Sequence, residues 1–195
     1  MHSELIEIER KRRLPDDGAV VRSRLQRLGY LDKGTVTEVD IYYSRPDVDY
    51  LETVECLRIR RRDGFAEITY KPASDTATHS ADDVIAKVET NVRLAGPKEA
   101  VSAVRLLEAV GMRRLATVTK LRTRYLHPGF AGSVISLDVV DGVGTFVETE
   151  VNSPSAEEAT ALLEGIERQL AITEYPTVAL PYRDLVRHIG EPQPI

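Results

Sequence analysis

The sequence predicts an α+β protein: a closed or nearly closed antiparallel β-barrel with helices packed outside it. Several segments alternate charged and apolar residues with a period of two, as strands do, and segments with helical periodicity separate them. The length of 195 residues is within the range of one compact domain. We therefore expect a single domain over residues 1–190, followed by a frayed tail over 191–195.

The strand segments share one feature, which is a polar face made of repeated charges. These faces contain Glu7, Glu9 and Lys11; Arg58 and Arg60; Glu67 and Lys71; Lys87, Glu89 and Arg93; Lys120, Arg122 and Arg124; Glu148 and Glu150. The intervening residues of the same segments are mostly Ile, Leu, Val and Tyr. We therefore expect a sheet with one strongly charged face and one apolar face.

Capping and turn residues predict four helices, which begin near Asp16 or Asp17, at Pro97, after Ser155 and at Tyr182. The first two are predicted to end at Gly29 and Gly111, and the last near His188. The small and polar residues at 72–80 predict a flexible loop. Each half of the chain runs from a charged strand through a helix to further strands, which hints at a weak internal duplication.

Composition excludes several classes of protein. The formal net charge of -5 disfavours a general nucleic-acid-binding surface. No apolar run reaches the roughly 18 residues of a membrane span. Cys56 is the single cysteine, so it has no internal disulfide partner, and we expect a small buried thiol. These observations predict a cytoplasmic protein that binds neither nucleic acid nor a membrane.

The charged faces have two explanations. A solvated sheet face is the simpler one, and for any single strand it is the more common arrangement. The second explanation is a charged face that points into an enclosed lumen. The set of strands as a whole favours it, because like charges occur in pairs along one strand, as in Glu148 and Glu150 or Arg58 and Arg60. If the sheet closes, these faces point into one lumen and the apolar faces receive the helices.

A lumen of this kind predicts chemistry on a phosphate chain. Paired carboxylates are hard oxygen ligands suited to Mg²⁺ or Mn²⁺. The basic groups match a chain of phosphates, to which Arg offers bidentate contacts and Lys a point charge. Metal and polyphosphate together would neutralise both sets, which indicates phosphoryl or nucleotidyl transfer. The histidines show no zinc-like spacing, so a zinc site is not expected.

The motifs of this sequence resemble those of the CYTH superfamily, the triphosphate tunnel metalloenzymes. Glu7-Ile8-Glu9-Arg10-Lys11 matches its ExExK motif, and an ordered series follows: Leu57-Arg58-Ile59-Arg60, Ile68-Thr69-Tyr70-Lys71, Glu89, Lys120-x-Arg122, Asp138 and Glu148-x-Glu150. Within the superfamily the chain is most similar to the class IV adenylate cyclase (CyaB-like) branch. That similarity rests on Asp40-Ile41-Tyr42-Tyr43-Ser44-Arg45-Pro46, on Gly142-x-Gly144-x-Phe146 and on Tyr182-x-x-Leu185.

The resemblance implies a role for each matching residue. The catalytic residues would be Glu7, Glu9, Lys11, Glu148 and Glu150. The phosphates would be held by Lys11, Arg58, Arg60, Lys71, Lys120 and Arg122. The metal side, with Mg²⁺ or Mn²⁺ as cofactor, would consist of Glu7, Glu9, Glu89, Asp138, Glu148 and Glu150.

Three functions remain open at this point. The first is a class IV adenylate cyclase that converts ATP to 3′,5′-cyclic AMP and pyrophosphate. The second is a triphosphatase of the same fold that acts on thiamine triphosphate, inorganic triphosphate or a nucleotide. The third is a polyphosphate- or nucleotide-binding module without turnover. The branch resemblance also implies a homodimer.

Overall fold

Nine strands form one antiparallel sheet in this computed structural model, which describes residues 6–73, 85–87 and 89–190. The strands are β1 (Ile6–Leu14), β2 (Leu31–Ser44), β3 (Cys56–Arg62), β4 (Phe65–Lys71), β5 (Ile85–Lys87), β6 (Thr90–Leu94), β7 (Arg113–Leu126), β8 (Ser133–Val140) and β9 (Gly144–Ser153). The helices are α1 (Ala19–Arg27), α2 (Pro97–Ala109), α3 (Ala156–Gln169) and α4 (Tyr182–Gly190).

The sheet forms an antiparallel barrel. Its strand order is β5-β1-β9-β8-β7-β2-β3-β4-β6. The two edge strands, β5 and β6, are neighbours in the sequence, so one stretch of chain joins both edges of the sheet. This arrangement confirms the predicted fold class. The element order β-α-β-β-β also occurs twice, from β1 to β4 and from β6 to β9, as the duplicated pattern of the sequence suggested.

The outer face of the barrel is apolar and receives three helices. Ile8 of β1 and Val147 of β9 are buried against Leu25 of α1 and Leu163 of α3. A second cluster on the outside joins Tyr43 and Ile59 of the sheet to Ala100 and Ala103 of α2. Burial of this apolar surface is the main stabilising contribution to the fold.

The fourth helix packs at one end of the barrel. Tyr182 and the partly buried Leu185 pack with Tyr42, Val118 and Phe146. Each of these three residues lines the cavity inside the barrel or shares its strand face with residues that do, and therefore points inward. Among the described residues, no helix is long and apolar enough to cross a membrane.

The observed helices agree with the predicted ones, and nine strands are described where the sequence predicts six. Ser155 caps α3 by accepting a hydrogen bond from the Glu158 amide at 3.3 Å, and Pro97 begins α2. The single strand predicted over 87–93 is divided between β5 and β6, and β2 and β8 were not predicted. β8 carries apolar residues on both faces, so it lacks the alternation that marks a half-polar strand. Most of the loop predicted at 72–80, and the tail at 191–195, lie outside the described residues.

Candidate active site inside the barrel

The inner face of the barrel surrounds a cavity of about 210 Å³. Strand alternation brings the charged faces of separate strands to this one space. Every predicted site residue except one lines it, namely Glu7, Glu9, Lys11, Arg58, Arg60, Lys71, Glu89, Lys120, Arg122, Glu148 and Glu150. The exception is Asp138, which is fully buried behind the wall and accepts a 2.7 Å hydrogen bond from Arg122 Nε.

The pairing of β1 with β9 places the two carboxylate pairs side by side. Glu9 lies directly opposite Glu150, and Lys11 lies directly opposite Glu148. Directly opposed side chains in an antiparallel pair are close neighbours on the same face. The motif at the start of the chain therefore meets the motif of the last strand across a single strand pair.

Glu7 occupies a site with excess negative charge. Burial raises its pKa to about 8, and the nearby carboxylates of Glu150, Glu9 and Glu89 contribute to that rise. Lys71 Nζ opposes the effect, because it lies 2.6 Å from Glu7 Oε1 and 3.3 Å from Glu89 Oε2. In this structure the carboxylates of Glu7 and Glu89 lie beside the ammonium group of Lys71. A divalent cation would compensate more of their negative charge.

The guanidinium groups are held by buried carboxylates. Arg60 binds Asp40 through two hydrogen bonds of 2.7 Å, and Arg122 contacts both Asp138 and Glu148. Burial raises the pKa of Asp40, but Arg60 outweighs it and the net pKa is well below its usual range. These ion pairs fix the guanidinium groups in the cavity wall.

Two acidic residues of β2 support the site and were absent from the predicted set. Glu38 and Asp40 have almost no exposed surface. Glu38 lies 3.1 Å from Arg62 and 3.6 Å from Lys120. The segment Thr37-Glu38-Val39-Asp40-Ile41 has the same alternation as the predicted strands, so this signal could have identified both residues.

The lining of the cavity also includes uncharged side chains, namely Tyr42, Val54, Cys56 and Pro181. Tyr42 and Cys56 belong to the same apolar cluster as Tyr182 of α4. Cys56 is half-buried, and burial raises the pKa of its thiol, so the thiol stays protonated at neutral pH. These side chains can contact an organic group beside the charged residues of the wall.

The acidic and basic groups of the cavity are nearly balanced in number. The lining carboxylates are Glu7, Glu9, Glu55, Glu67, Glu89, Glu148 and Glu150, and the lining basic groups are Lys11, Arg58, Arg60, Lys71, Lys120, Arg122, Arg124 and Arg183. Glu38, Asp40 and Asp138 add negative charge directly behind them. A polyphosphate would therefore make the site strongly negative unless cations accompany it.

The donor set fits a divalent metal that is bound together with phosphate. Among the described residues, no three acidic, histidine or cysteine side chains are grouped closely enough to hold a metal ion by themselves. Mg²⁺ does not need such a cage, because it is usually held by one or two carboxylates, waters and substrate phosphates. Glu9, Glu148 and Glu150 supply carboxylate oxygens of this type beside the basic groups.

Comparison with known proteins identifies the family. The sequence matches the CYTH domain over residues 5–179. The chain belongs to the CYTH family. The family includes adenylate cyclase-like enzymes and triphosphatases, and its members generally use divalent metals.

Relatives cover nearly the whole chain. "Putative adenylate cyclase MJ0240" of Methanocaldococcus jannaschii is 29% identical over 161 residues, which are 82% of this chain and 85% of that protein. The PH1819 protein of Pyrococcus horikoshii is 26% identical with a TM-score of 0.74, covering 93% of this chain and 98% of the other.

A plant structure shares the fold at lower identity. "Putative adenylyl cyclase HpAC1" of Hippeastrum, for which a dominant triphosphatase activity is described, is 18% identical with a TM-score of 0.66. The alignment covers 97% of this chain and 98% of that one. At this identity the likeness shows the fold alone.

Proposed function

We propose that this chain is a divalent-metal-dependent enzyme that converts ATP to 3′,5′-cyclic AMP and pyrophosphate. The observation that carries the proposal is the single cavity in which paired carboxylates and paired basic groups meet. The uncharged lining residues Tyr42, Cys56 and Pro181 support an organic triphosphate as substrate, because they offer apolar surface to a base or sugar beside the charged groups. The relative from M. jannaschii, which is named for the same activity, also supports the proposal.

The basic residues would bind and orient the triphosphate. Lys71, Arg58 and Arg122 reach the cavity from three different strands, so they can contact phosphates from several sides. Burial lowers the pKa of Lys71, but Glu9, Glu7 and Glu89 outweigh it and raise the pKa above its ordinary value, so Lys71 stays positively charged. Fixed positive charge of this kind would stabilise the pyrophosphate leaving group.

The carboxylates of Glu7, Glu9, Glu148 and Glu150 would hold the metal, with Glu89 and Asp138 in support. A bound Mg²⁺ or Mn²⁺ lowers the pKa of an attacking hydroxyl and neutralises phosphate charge. In cyclisation, the ribose 3′-oxygen forms a bond to the α-phosphorus, the bond to the pyrophosphate oxygen breaks, and the hydroxyl proton is lost. The charged wall would hold the triphosphate with its α-phosphorus near the uncharged side chains around Tyr42.

A triphosphatase is the second candidate, because the charged wall can hold a triphosphate for attack at its terminal phosphorus as well as at its α-phosphorus. The Hippeastrum protein, which shares the fold, is described with this activity. The same cavity would then orient a water molecule toward the terminal phosphorus, and orthophosphate would leave. The third candidate, a binding module without turnover, is disfavoured because the carboxylates expected for catalysis all line or adjoin the cavity.

Product analysis separates the three candidates. Purified protein is incubated with ATP and Mg²⁺ or Mn²⁺, beside reactions with inorganic and thiamine triphosphate, and the products are resolved by chromatography. We expect cyclic AMP and equimolar pyrophosphate from ATP, and loss of turnover with retained triphosphate binding in Glu148→Gln and Glu150→Gln. Orthophosphate without cyclic AMP would support the triphosphatase, and binding without turnover under any metal would support the binding module.

We also propose a cytoplasmic homodimer. The single cysteine is typical of a reducing compartment, and the family branch suggests two copies. Light scattering on the purified protein would test the dimer, and a monomeric mass would refute it.

A further inference from the structure

Tyr182, the first residue of α4, has a fixed position in the cavity wall. It is 5% exposed and packs edge-on against Phe146, with ring centroids 5.2 Å apart. The next residue, Arg183, is fully buried and donates hydrogen bonds to the carbonyl oxygens of Tyr50, at 2.6 Å, and Glu55. The start of α4 is therefore attached to the segment that joins β2 to β3.

Two ammonium groups lie over the same tyrosine ring. Lys11 Nζ is 4.3 Å from the ring centroid of Tyr182, and Lys120 Nζ is 5.0 Å from it. These lysines come from β1 and β7, which are separated in the sheet by β9 and β8. The ring is therefore a shared contact for two cations that the sheet alone does not bring together.

The other contacts of these lysines are looser than the ion pairs of the neighbouring arginines. Lys11 Nζ donates a 2.7 Å hydrogen bond to the carbonyl oxygen of Leu180, which is neutral. Lys120 Nζ forms ion pairs with Asp138 and Glu38 at the longer distances of 3.5 and 3.6 Å. By contrast, Arg60 and Arg122 are closely paired with carboxylates.

We propose that Tyr182 is a positioning residue whose ring holds the ammonium groups of Lys11 and Lys120 toward the bound triphosphate. A neutral ring attracts an ammonium group without neutralising it, and this attraction increases in a desolvated site. Both ammonium groups then stay directed at the phosphates. Without the ring, Lys11 can turn toward Glu148, which lies directly opposite on β9, and Lys120 can move closer to Asp138, which already lies 3.5 Å from it. This inference rests on the proposed function.

The test compares two substitutions of the ring with a packing control. Tyr182→Phe keeps the ring, Tyr182→Leu removes it, and Leu185→Ala loosens the same apolar cluster without touching either lysine. In protein labelled with ¹³C-lysine, methylene protons above an aromatic face give signals shifted upfield, and Lys11→Arg and Lys120→Arg assign them. Binding of inorganic triphosphate with Mg²⁺ is measured by calorimetry on the same variants.

We expect upfield lysine signals in the wild type and in Tyr182→Phe, and their loss in Tyr182→Leu. Triphosphate binding should weaken about tenfold in Tyr182→Leu, which corresponds to about 1.4 kcal/mol. Tyr182→Phe and Leu185→Ala should bind within about twofold of the wild type.

Three results would overturn the inference. The first is a wild-type spectrum without upfield lysine signals, which is decisive even if Tyr182→Leu does not fold. The second is unchanged triphosphate binding in folded Tyr182→Leu, and the third is equal weakening in Leu185→Ala. Neither the spectra nor the calorimetry requires turnover, so an absence of enzymatic activity would refute the proposed function without deciding this test.

Discussion

Asp40 and Arg60 illustrate how one buried residue supports the site. The two hydrogen bonds of 2.7 Å between them fix the guanidinium group, and Asp40 is 1% exposed. Asp40→Asn removes the charge and leaves the buried Arg60 only the more distant carboxylate of Glu38, at 3.5 Å. We expect a loss of about 3–5 kcal/mol in the free energy of unfolding, measured with urea, together with weaker triphosphate binding.

The exposed pair of Arg45 and Asp47 is the matched control. Both side chains are about half exposed, so water and salt screen their attraction. Asp47→Asn should change the free energy of unfolding by no more than about 1 kcal/mol. Equal effects of Asp47→Asn and Asp40→Asn would contradict the account of the buried pair.

The raised pKa of Glu7 predicts how the stability of the metal-free protein depends on pH. Burial and the neighbouring carboxylates raise its pKa from 4.5 to about 8. Between pH 4.5 and about pH 8, Glu7 keeps its proton in the folded protein but has released it in the unfolded chain. The free energy of unfolding therefore falls as the pH rises. The melting temperature of the metal-free protein should therefore be several degrees lower at pH 8 than at pH 6.

Glu7→Gln isolates this effect, because the amide has no proton to lose. The difference in melting temperature between Glu7→Gln and the wild type should grow from pH 6 to pH 8. Mg²⁺ with inorganic triphosphate should reduce that difference, since the cation compensates an ionised Glu7. A difference that is constant over this range would contradict the raised pKa.

At the scale of the element, β1 has charged residues on both faces. Glu7, Glu9 and Lys11 point into the cavity, while Arg10 and Arg12 point outward to α3. There both guanidinium groups bind Glu167, which is fully buried, at 2.8–3.0 Å. This contact fixes β1 to its covering helix and so maintains the register of the inward residues.

Glu167→Gln should destabilise the fold by about 3–5 kcal/mol, because it leaves two buried guanidinium groups without a counter-charge. Urea unfolding measures the change. Glu157→Gln, in the exposed first turn of the same helix, should cost less than about 1 kcal/mol. Similar losses in the free energy of unfolding for Glu167→Gln and Glu157→Gln would contradict the role of Glu167 in fixing β1.

The sequence predicted much of the barrel, and β1 and β2 show where it could not. The alternation of β1 indicated which residues share a face, but not why Arg10 and Arg12 tolerate burial. Their partner, Glu167, lies more than 150 residues away in the chain, and only the packing of α3 brings it near. In β2, the first residues are exposed and contain a glycine, so the buried acidic residues Glu38 and Asp40 in the middle of the strand were not assigned to it.

At the scale of the whole molecule, the cavity combines opposite charges that already satisfy one another. Arg60 is already paired with Asp40, and Arg122 with Asp138. Their positive charge is therefore not fully available to neutralise a polyphosphate. A triphosphate added alone would leave excess negative charge in a buried space, which is unfavourable. The charge distribution therefore makes triphosphate binding and divalent metal binding interdependent.

The most direct measurement is a calorimetric titration of the wild-type protein with inorganic triphosphate, with and without Mg²⁺. We expect binding with Mg²⁺ that is at least about tenfold tighter than in the presence of a chelator, and weaker binding in Arg58→Ala under both conditions. Equal affinity with and without Mg²⁺, or no binding under either condition, would contradict the assignment of this cavity as a metal-dependent triphosphate site.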